Sequence, residues 1–525
     1  MQQLAAGSDL EALLARANGL AVAWGSGAAS STTIGQERAI LRLFGVTGVD
    51  RAGRPLAAEV VDRYLGPDPR RLGGGIALPF AMALAEYDLA PQELGLAVAA
   101  GDVDLGLEAE LLAEPDRRAI ALADASALSR AAMDRIDANR TARRELLAVL
   151  GDPPRPWLGT GLGSAAIVDA LDEARAAIDG GAELVRVDVP ASRELAERTA
   201  RTAAPVERWR AQPSSRGGLD NFDPSGQPIP TGAQRSLAVL RRFVDEAGAR
   251  RRGYIRIMTD AQALAAPDQA VVAAFERIDI VIADPMREIV AGRVDPDRAI
   301  ADHVFAHRLL GRAGTRILVP AGPLIVARDL SSGVPSDPAT RAGRALALQL
   351  LAMALARRDG LPDDAVVLGA FPDWLVEESD APARVAAEVA LRRALLPGHP
   401  LAFVEPPLRN DLATMWHAIV AALLPDAGDA LAIVRRPGAS APETAQSRGA
   451  TSVAASLRAS RETPELRGMA LDHANRAVAA ANTTLRLLEE GGWGTLVDET
   501  LGFASGRLGA EAVAERTEAF DPLGF

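Results

Sequence analysis

From residue 156 onward, short apolar runs alternate with amphipathic stretches of helical period. The runs are PWLGTGLG (156–163), ELVRVDV (183–189), YIRIMTD (254–260), DIVIADP (279–285), TRILVPAG (315–322), AVVLGA (365–370), LAFVEPP (401–407) and LAIVRRP (431–437). Their length and their turn-like boundaries predict buried strands. Between them lie stretches such as AIVDALDEARAAIDGG, PDQAVVAAFERI, PDRAIADHVFAHRLLGRAG, RAGRALALQLLAMALARRDG and PARVAAEVALRRALL. Several of these open on Asp or Pro and close on Gly, as helix boundaries should. Eight βα units in succession predict an α/β fold, a closed (β/α)8 TIM barrel rather than an open sheet. No G-x-G-x-x-G with a suitably spaced acid follows a strand. The nearest stretch, GTGLGS (159–164), reads as a tight βα turn more than a phosphate cradle.

The flanks lack this alternation. ERAILRLFGV, PLAAEVVDRYLG, ALPFAMALAEYDL, PQELGLAVAAGDVDL and ALSRAAMDRIDANRTARRELLAVLG carry helix-period stripes, as does GMALDHANRAVAAANTTLRLLEEGG near the end. The expected organisation is a helical region over 1–150, the barrel with its site over 151–465, and a helical extension over 466–525. Two long polar insertions, 210–234 after the second strand and 435–452 after the eighth, have the length of lids, binding loops or disordered segments.

Barrels of this kind build their sites at the C-terminal ends of the strands. Asp284 ends the apolar run IDIVIADP, and Thr160, Asp188, Thr259, Asp260, Glu405, Arg435 and Arg436 hold corresponding places. One such residue alone is commonly a helix cap. A ring of them predicts a polar mouth that binds a small molecule.

Composition narrows the chemistry. The 525 residues carry 69 acidic and 57 basic side chains, a net charge of −12, which argues against a nucleic-acid partner. No apolar run approaches the roughly 18 residues of a membrane span, and the N-terminus lacks the charged and apolar regions of a signal peptide, so the expected location is cytoplasmic. The sequence has no cysteine, which excludes disulfides, thiolate nucleophiles and Cys-ligated metals. It also has no lysine, so the chain cannot form a Schiff base with its own side chains.

Histidine occurs five times. His303 and His307 have the i, i+4 spacing of a metal pair, but the stretch DHVFAH lacks the zincin glutamate and belongs to an outer helix, so a packed pair and no metal is expected. His417 reads as a helix-interface residue. Arg216 in SSRGG (214–218) has a composition that could bind phosphate, but from its residues alone it reads more as an incidental arginine in a flexible loop.

Four longer blocks carry a resemblance. ERAILRLFGVTGVD (37–50), PQELGLAVAAGDVDL (91–105), YIRIMTDAQALAAPDQAVVAAFERIDIVIADP (254–285) and ANTTLRLLEEGGWGTLVDETLGFASG (481–506) are similar, in the same order, to the lysine 5,6-aminomutase α-subunit family. The resemblance implies a TIM barrel that binds pyridoxal 5′-phosphate (PLP), active only with a β subunit in an assembly such as (αβ)2. That subunit carries a Rossmann-like domain for adenosylcobalamin, including its base-off histidine, and the Schiff-base lysine. The implied reaction is radical 1,2-migration of the terminal amino group of D-lysine or β-lysine. The absence of lysine and of a D-x-H-x-x-G motif here agrees with a division of labour between two chains.

Several positions depart from the family. Its phosphate arginine falls at Val189, with Arg186, Ser192 and Arg193 nearby, and a neighbouring serine falls at Glu194. A further serine falls at Gln262, the tyrosine that stacks on the ring falls at Arg287, and a substrate aspartate falls near Gly322. The resulting candidates are Asp284 and Arg287 for catalysis. Arg186, Ser192, Arg193, Arg216, Thr259, Asp260 and Gln262 are the candidates for holding the cofactor, and Asp188, Glu405 and Arg435 for holding the substrate. Two other readings are a PLP-independent barrel lyase using Asp284 and Glu405 as acid and base, and a non-catalytic scaffold for a cobalamin partner.

Overall fold

A computed structural model describes residues 7–48, 55–66, 68–164, 167–187, 234–261, 265–290, 294–322, 337–372, 374–375, 378, 380–405, 430–435, 464–496, 512–517 and 520–523. Eight parallel strands close into a barrel in sequential order: β2 (Trp157–Leu162), β3 (Leu184–Val187), β4 (Arg256–Ala261), β5 (Ile280–Ala283), β6 (Arg316–Val319), β7 (Val366–Gly369), β8 (Leu401–Val404) and β9 (Ala430–Arg435). Each corresponds to one of the eight apolar runs. β9 pairs with β2 through Trp157↔Ala432 and Thr160↔Arg435, which closes the ring.

Strand periodicity of two sorts the side chains into two layers. Trp157, Leu184, Met258, Ile280, Ile282, Leu318, Val367, Ala402 and Val434 form one cluster inside the barrel. The alternate residues Leu158, Val185, Ile257, Val281, Ile317, Val366, Phe403 and Ile433 join a second cluster shared with the surrounding helices. The strands are buried on both faces and therefore read as continuous apolar runs.

The helical layer contains α8 (Ile167–Asp179), α9 (Gln234–Arg251), α10 (Ala266–Phe275), α11 (Pro285–Val290), α12 (Pro296–Ala313), α13 (Pro338–Arg358) and α14 (Ala381–Leu395). The boundary signals are used as expected. Asp295 and Asp337 accept hydrogen bonds from the first-turn amides of α12 and α13, each followed by proline. α12 ends at Gly314 in the left-handed region (φ 65°).

Before the barrel come α1 (Gly7–Ala29), α2 (Ile34–Leu43), α3 (Leu56–Leu65), α4 (Ala77–Tyr87), α5 (Pro91–Ala100), α6 (Leu105–Leu111) and the long α7 (Pro115–Leu150). After it comes α15 (Pro464–Gly491), packed on α13 and α14. A short antiparallel pair, β1 (Ser31–Thr33) with β10 (Val513–Glu515), ties the two flanks together. The apolar stripe of α9 escapes a pattern reading because Arg241 occupies one of its core-facing positions. Buried there, it meets Asp279 at 3.1 Å. Among the described residues no helix is long and apolar enough to cross a membrane.

Candidate active site at the barrel mouth

Arg186, Asp260 and Asp284 share the inward periodicity of Leu184, Met258 and Ile282, and come from three adjacent strands. They lie beyond the apolar plug, at the C-terminal end of the barrel. The Arg186 guanidinium stands 3.9 Å from the Asp260 carboxylate, and both side chains are largely buried. The residue after Asp284 is Pro285, the first of α11, and the Asp284 carboxylate accepts from the Met286 amide at 3.0 Å. Asp284 therefore caps a helix and faces the mouth at once.

Its electrostatics are unusual. Burial pushes the Asp284 carboxyl up to about 6; the Arg287 guanidinium opposes that shift and the Asp260 charge adds to it. A carboxyl poised near neutral pH beside a second buried carboxylate is a common arrangement for holding or moving a proton.

The other candidates are placed differently. Thr259 alternates with Asp260 and faces the helical layer, where Gln269 of α10 donates to its hydroxyl at 3.0 Å. Glu405 and Arg435 form a buried ion pair at 2.7 Å. They follow Phe403 and Ile433 in periodicity, so the structure brings them to each other and not to Asp284. Thr160 also takes the outward parity of Leu158 and Leu162. Arg287 lies half-buried on α11, one turn from Asp284. Asp188, Ser192, Arg193, Arg216, Gln262 and Arg436, with the departures at Val189 and Glu194, lie outside the described residues, as does His417.

Gly322 explains its own departure. Its φ is +120°, and a Cβ there would meet the Ala345 Cβ at 2.4 Å, so an aspartate does not fit without a shift of backbone and helix. GTGLGS proves to be mostly strand. The Gly163 amide donates to Glu173 at 2.6 Å and the Ser164 hydroxyl bonds the same carboxylate, so this turn is already held by the protein. One group at the strand ends was missed from sequence: Trp374 after β7, with the Arg341 guanidinium 4.4 Å from its ring and Arg341 ion-paired to Glu378. A tryptophan five residues beyond the strand end, in FPDWLVEE, is the available signal.

His303 and His307 are packed edge to face at 5.8 Å, both buried, with Nδ1 atoms bonded to the Ala299 carbonyl and to Asp359. Among the described residues no cluster of three or more His, Asp or Glu side chains is arranged to hold a metal ion.

The fold defines a (β/α)8-barrel protein, with the candidate site on the C-terminal strand ends. Within that class the chain belongs to the family described as the D-lysine 5,6-aminomutase TIM-barrel domain of alpha subunit, matched over residues 11–197 and 230–425. Lysine 5,6-aminomutase alpha subunits of Acetoanaerobium sticklandii and Fusobacterium nucleatum are each 25% identical to it over 376 residues, 71% of this chain. The chain spans 66% of the length of these relatives. Among solved structures, dihydropteroate synthase from Anaplasma phagocytophilum aligns with 12% identity and a TM-score of 0.36, covering 57% of this chain and 98% of that one. The Yersinia pestis enzyme aligns with 11% identity and a TM-score of 0.34, covering 58% and 95%.

Proposed function

We propose that this chain is the large subunit of an aminomutase that uses PLP and adenosylcobalamin to move the terminal amino group of D-lysine or β-lysine to the neighbouring carbon. Family membership across most of the chain is the observation that carries this reading.

The mouth fits the polar parts of PLP. An aromatic pyridinium phosphate asks for a cation near its phosphate and a carboxylate near its ring nitrogen. Arg186 supplies the first chemistry, and Asp260 and Asp284 supply the second. The aldehyde asks for an amine, and this chain has no lysine. Among the described residues no histidine stands at the mouth either. His303 and His307 lie in α12, His473 in α15, and His399 bonds the Val366 carbonyl at the other end of the barrel. The amine is therefore assigned to a partner, and on this reading the cobalt-ligating histidine is too, in keeping with the name alpha subunit that the relatives carry. When bound, PLP holds the migrating amino group and delocalises an unpaired electron, while adenosylcobalamin supplies the hydrogen-abstracting radical.

The chain's own contribution is positioning and protection. Arg186, oriented by Asp260, binds an anionic group of cofactor or substrate. Asp284, neutral below about pH 6 and ionised above it, exchanges its proton for the ammonium group of a diamino acid. The barrel wall beneath these groups is apolar and packed, which keeps water from reaching the site from below.

The test is a PLP titration of the chain co-expressed with a cobalamin-domain subunit. The reading predicts a saturable, PLP-dependent absorbance change, weakened about tenfold by Arg186→Gln through loss of one charge-assisted contact. A complex that forms but gives no such change contradicts it and points to a scaffold that has lost the cofactor.

A further inference from the structure

The lowest layer of the barrel, at the end opposite the mouth, is not apolar. Its inward-facing first residues on β2, β4 and β6 are Trp157, Arg256 and Arg316. Layers in such barrels are built from alternate strands and are normally filled by branched aliphatic side chains. Here the Arg256 guanidinium lies 3.3 Å from the centre of the Trp157 ring, and those of Arg316 and Arg155 each lie 5.6 Å from it. The three positions run from interior to surface: Arg256 is buried, Arg316 partly buried and Arg155 exposed.

The charge is poorly met. Arg256 pairs with Asp152 through one nitrogen, and its other terminal nitrogen, Nη1, is buried with no hydrogen-bond partner. Among the described residues Arg316 donates only Nε, to the Asp364 carbonyl at 3.3 Å. Among the described residues neither Arg155 nor Arg316 forms an ion pair. The nearby buried carboxylate, Asp279, is taken by Arg241, the Tyr254 hydroxyl and the Ile257 amide. Burial, then the charges of Arg256 and Arg155, make the Arg316 guanidinium easier to deprotonate than usual. An indole face attracts one cation but does not neutralise three. Buried or half-buried guanidiniums are costly without a counter-charge, and their planar forks suit oxyanions.

We infer that Arg155, Arg256 and Arg316 form a binding site for a small multivalent oxyanion at the N-terminal end of the barrel, with Trp157 as its platform. This site is separate from the mouth and does not depend on the proposed reaction. It makes the lower barrel sensitive to phosphate or to a dicarboxylate, and so couples stability to a soluble anion.

The experiment is a titration of the full chain with inorganic phosphate at constant ionic strength, balanced with sodium chloride. Tryptophan fluorescence and the melting temperature are the readouts. The expected result is a saturable shift in both, with Arg155→Gln weakening phosphate about tenfold and Arg316→Gln at least as much. Arg155 is exposed, so its replacement tests the site without threatening the fold. Arg186→Gln, at the other end of the barrel, should leave the response intact, which separates this site from phosphate binding at the mouth. A parallel titration with succinate sorts the ligand: response to phosphate alone assigns a tetrahedral oxyanion, and response to both assigns any divalent oxyanion. Equal shifts with sodium chloride, or identical curves for wild type and Arg155→Gln, overturn the inference.

Discussion

Asp284 is the residue where the account is most exposed to measurement. Its carboxyl is raised to about 6 in the folded chain, above the ordinary value near 4 in an unfolded one. The folded state therefore holds the proton more tightly, and the associated stability is present below pH 4 and lost as pH rises through 6. Asp284→Asn keeps an oxygen for the Met286 amide and removes the ionisation. The variant should be more stable than wild type at pH 8, by up to about 3 kcal/mol, with the advantage gone at pH 4. Urea midpoints at the two pH values check this; a difference that does not change with pH contradicts it. His303 gives a second pH signature. Burial, with a smaller contribution from His307, pushes it down to about 3, so charging it opposes folding as pH falls from 6.5 toward 3. His303→Gln should flatten the acid side of the stability curve over that window.

At the scale of elements, the block ERAILRLFGV acts as a clasp. It forms α2, from which Arg38 and Arg42 reach across to one carboxylate, Asp268 of α10, at 2.8 and 2.7 Å. Burial alone would raise Asp268, but the two guanidiniums pull it below the usual carboxylate range. Its contribution is therefore present at neutral pH and lost as pH falls through the depressed value. Asp268→Asn removes the carboxylate that the buried Arg42 and the partly buried Arg38 share and should cost about 3 kcal/mol, read as a lowered urea midpoint at pH 7. A cost within error of zero would show that the clasp is held by apolar contacts alone. A comparable chain links α15 to the strand ends. His473 bonds Glu388, Glu388 pairs with Arg392, and Arg392 donates to Gln349. Gln349 in turn donates to the Val319 and Gly369 carbonyls. Gln349→Leu removes one hydrogen bond from each of those carbonyls and leaves the buried Arg392 Nε without its Gln349 acceptor, and should cost about 3 kcal/mol, measurable by thermal or urea unfolding.

At the scale of the whole molecule, the barrel was legible because parallel strands buried on two faces must be apolar throughout, and eight such runs stand out in the sequence. What escaped did so for physical reasons. α9 hides its stripe because Arg241 is solvated by Asp279 and the Ile255 carbonyl inside the protein, not by water. The β1–β10 pair joins residues nearly 500 positions apart, which no local pattern records. At the site, strand ends were easy to name, but their facing was not. The parity that turns Asp260 and Asp284 inward also turns Thr259 outward, and the Glu405–Arg435 pair required knowledge of which strands are neighbours. The absence of lysine was visible at once, and it has the largest consequence: a chain without an amine side chain needs a second chain to do PLP chemistry. The most direct test of that claim is a product assay. The chain is co-expressed with a cobalamin-domain subunit, supplied with PLP and adenosylcobalamin, and offered D-lysine or β-lysine, with the diamino acids separated by chromatography. The account predicts an isomer peak that requires both cofactors and both subunits. An assembled complex that yields no isomer from either substrate, or an isomer made by this chain alone, would contradict it.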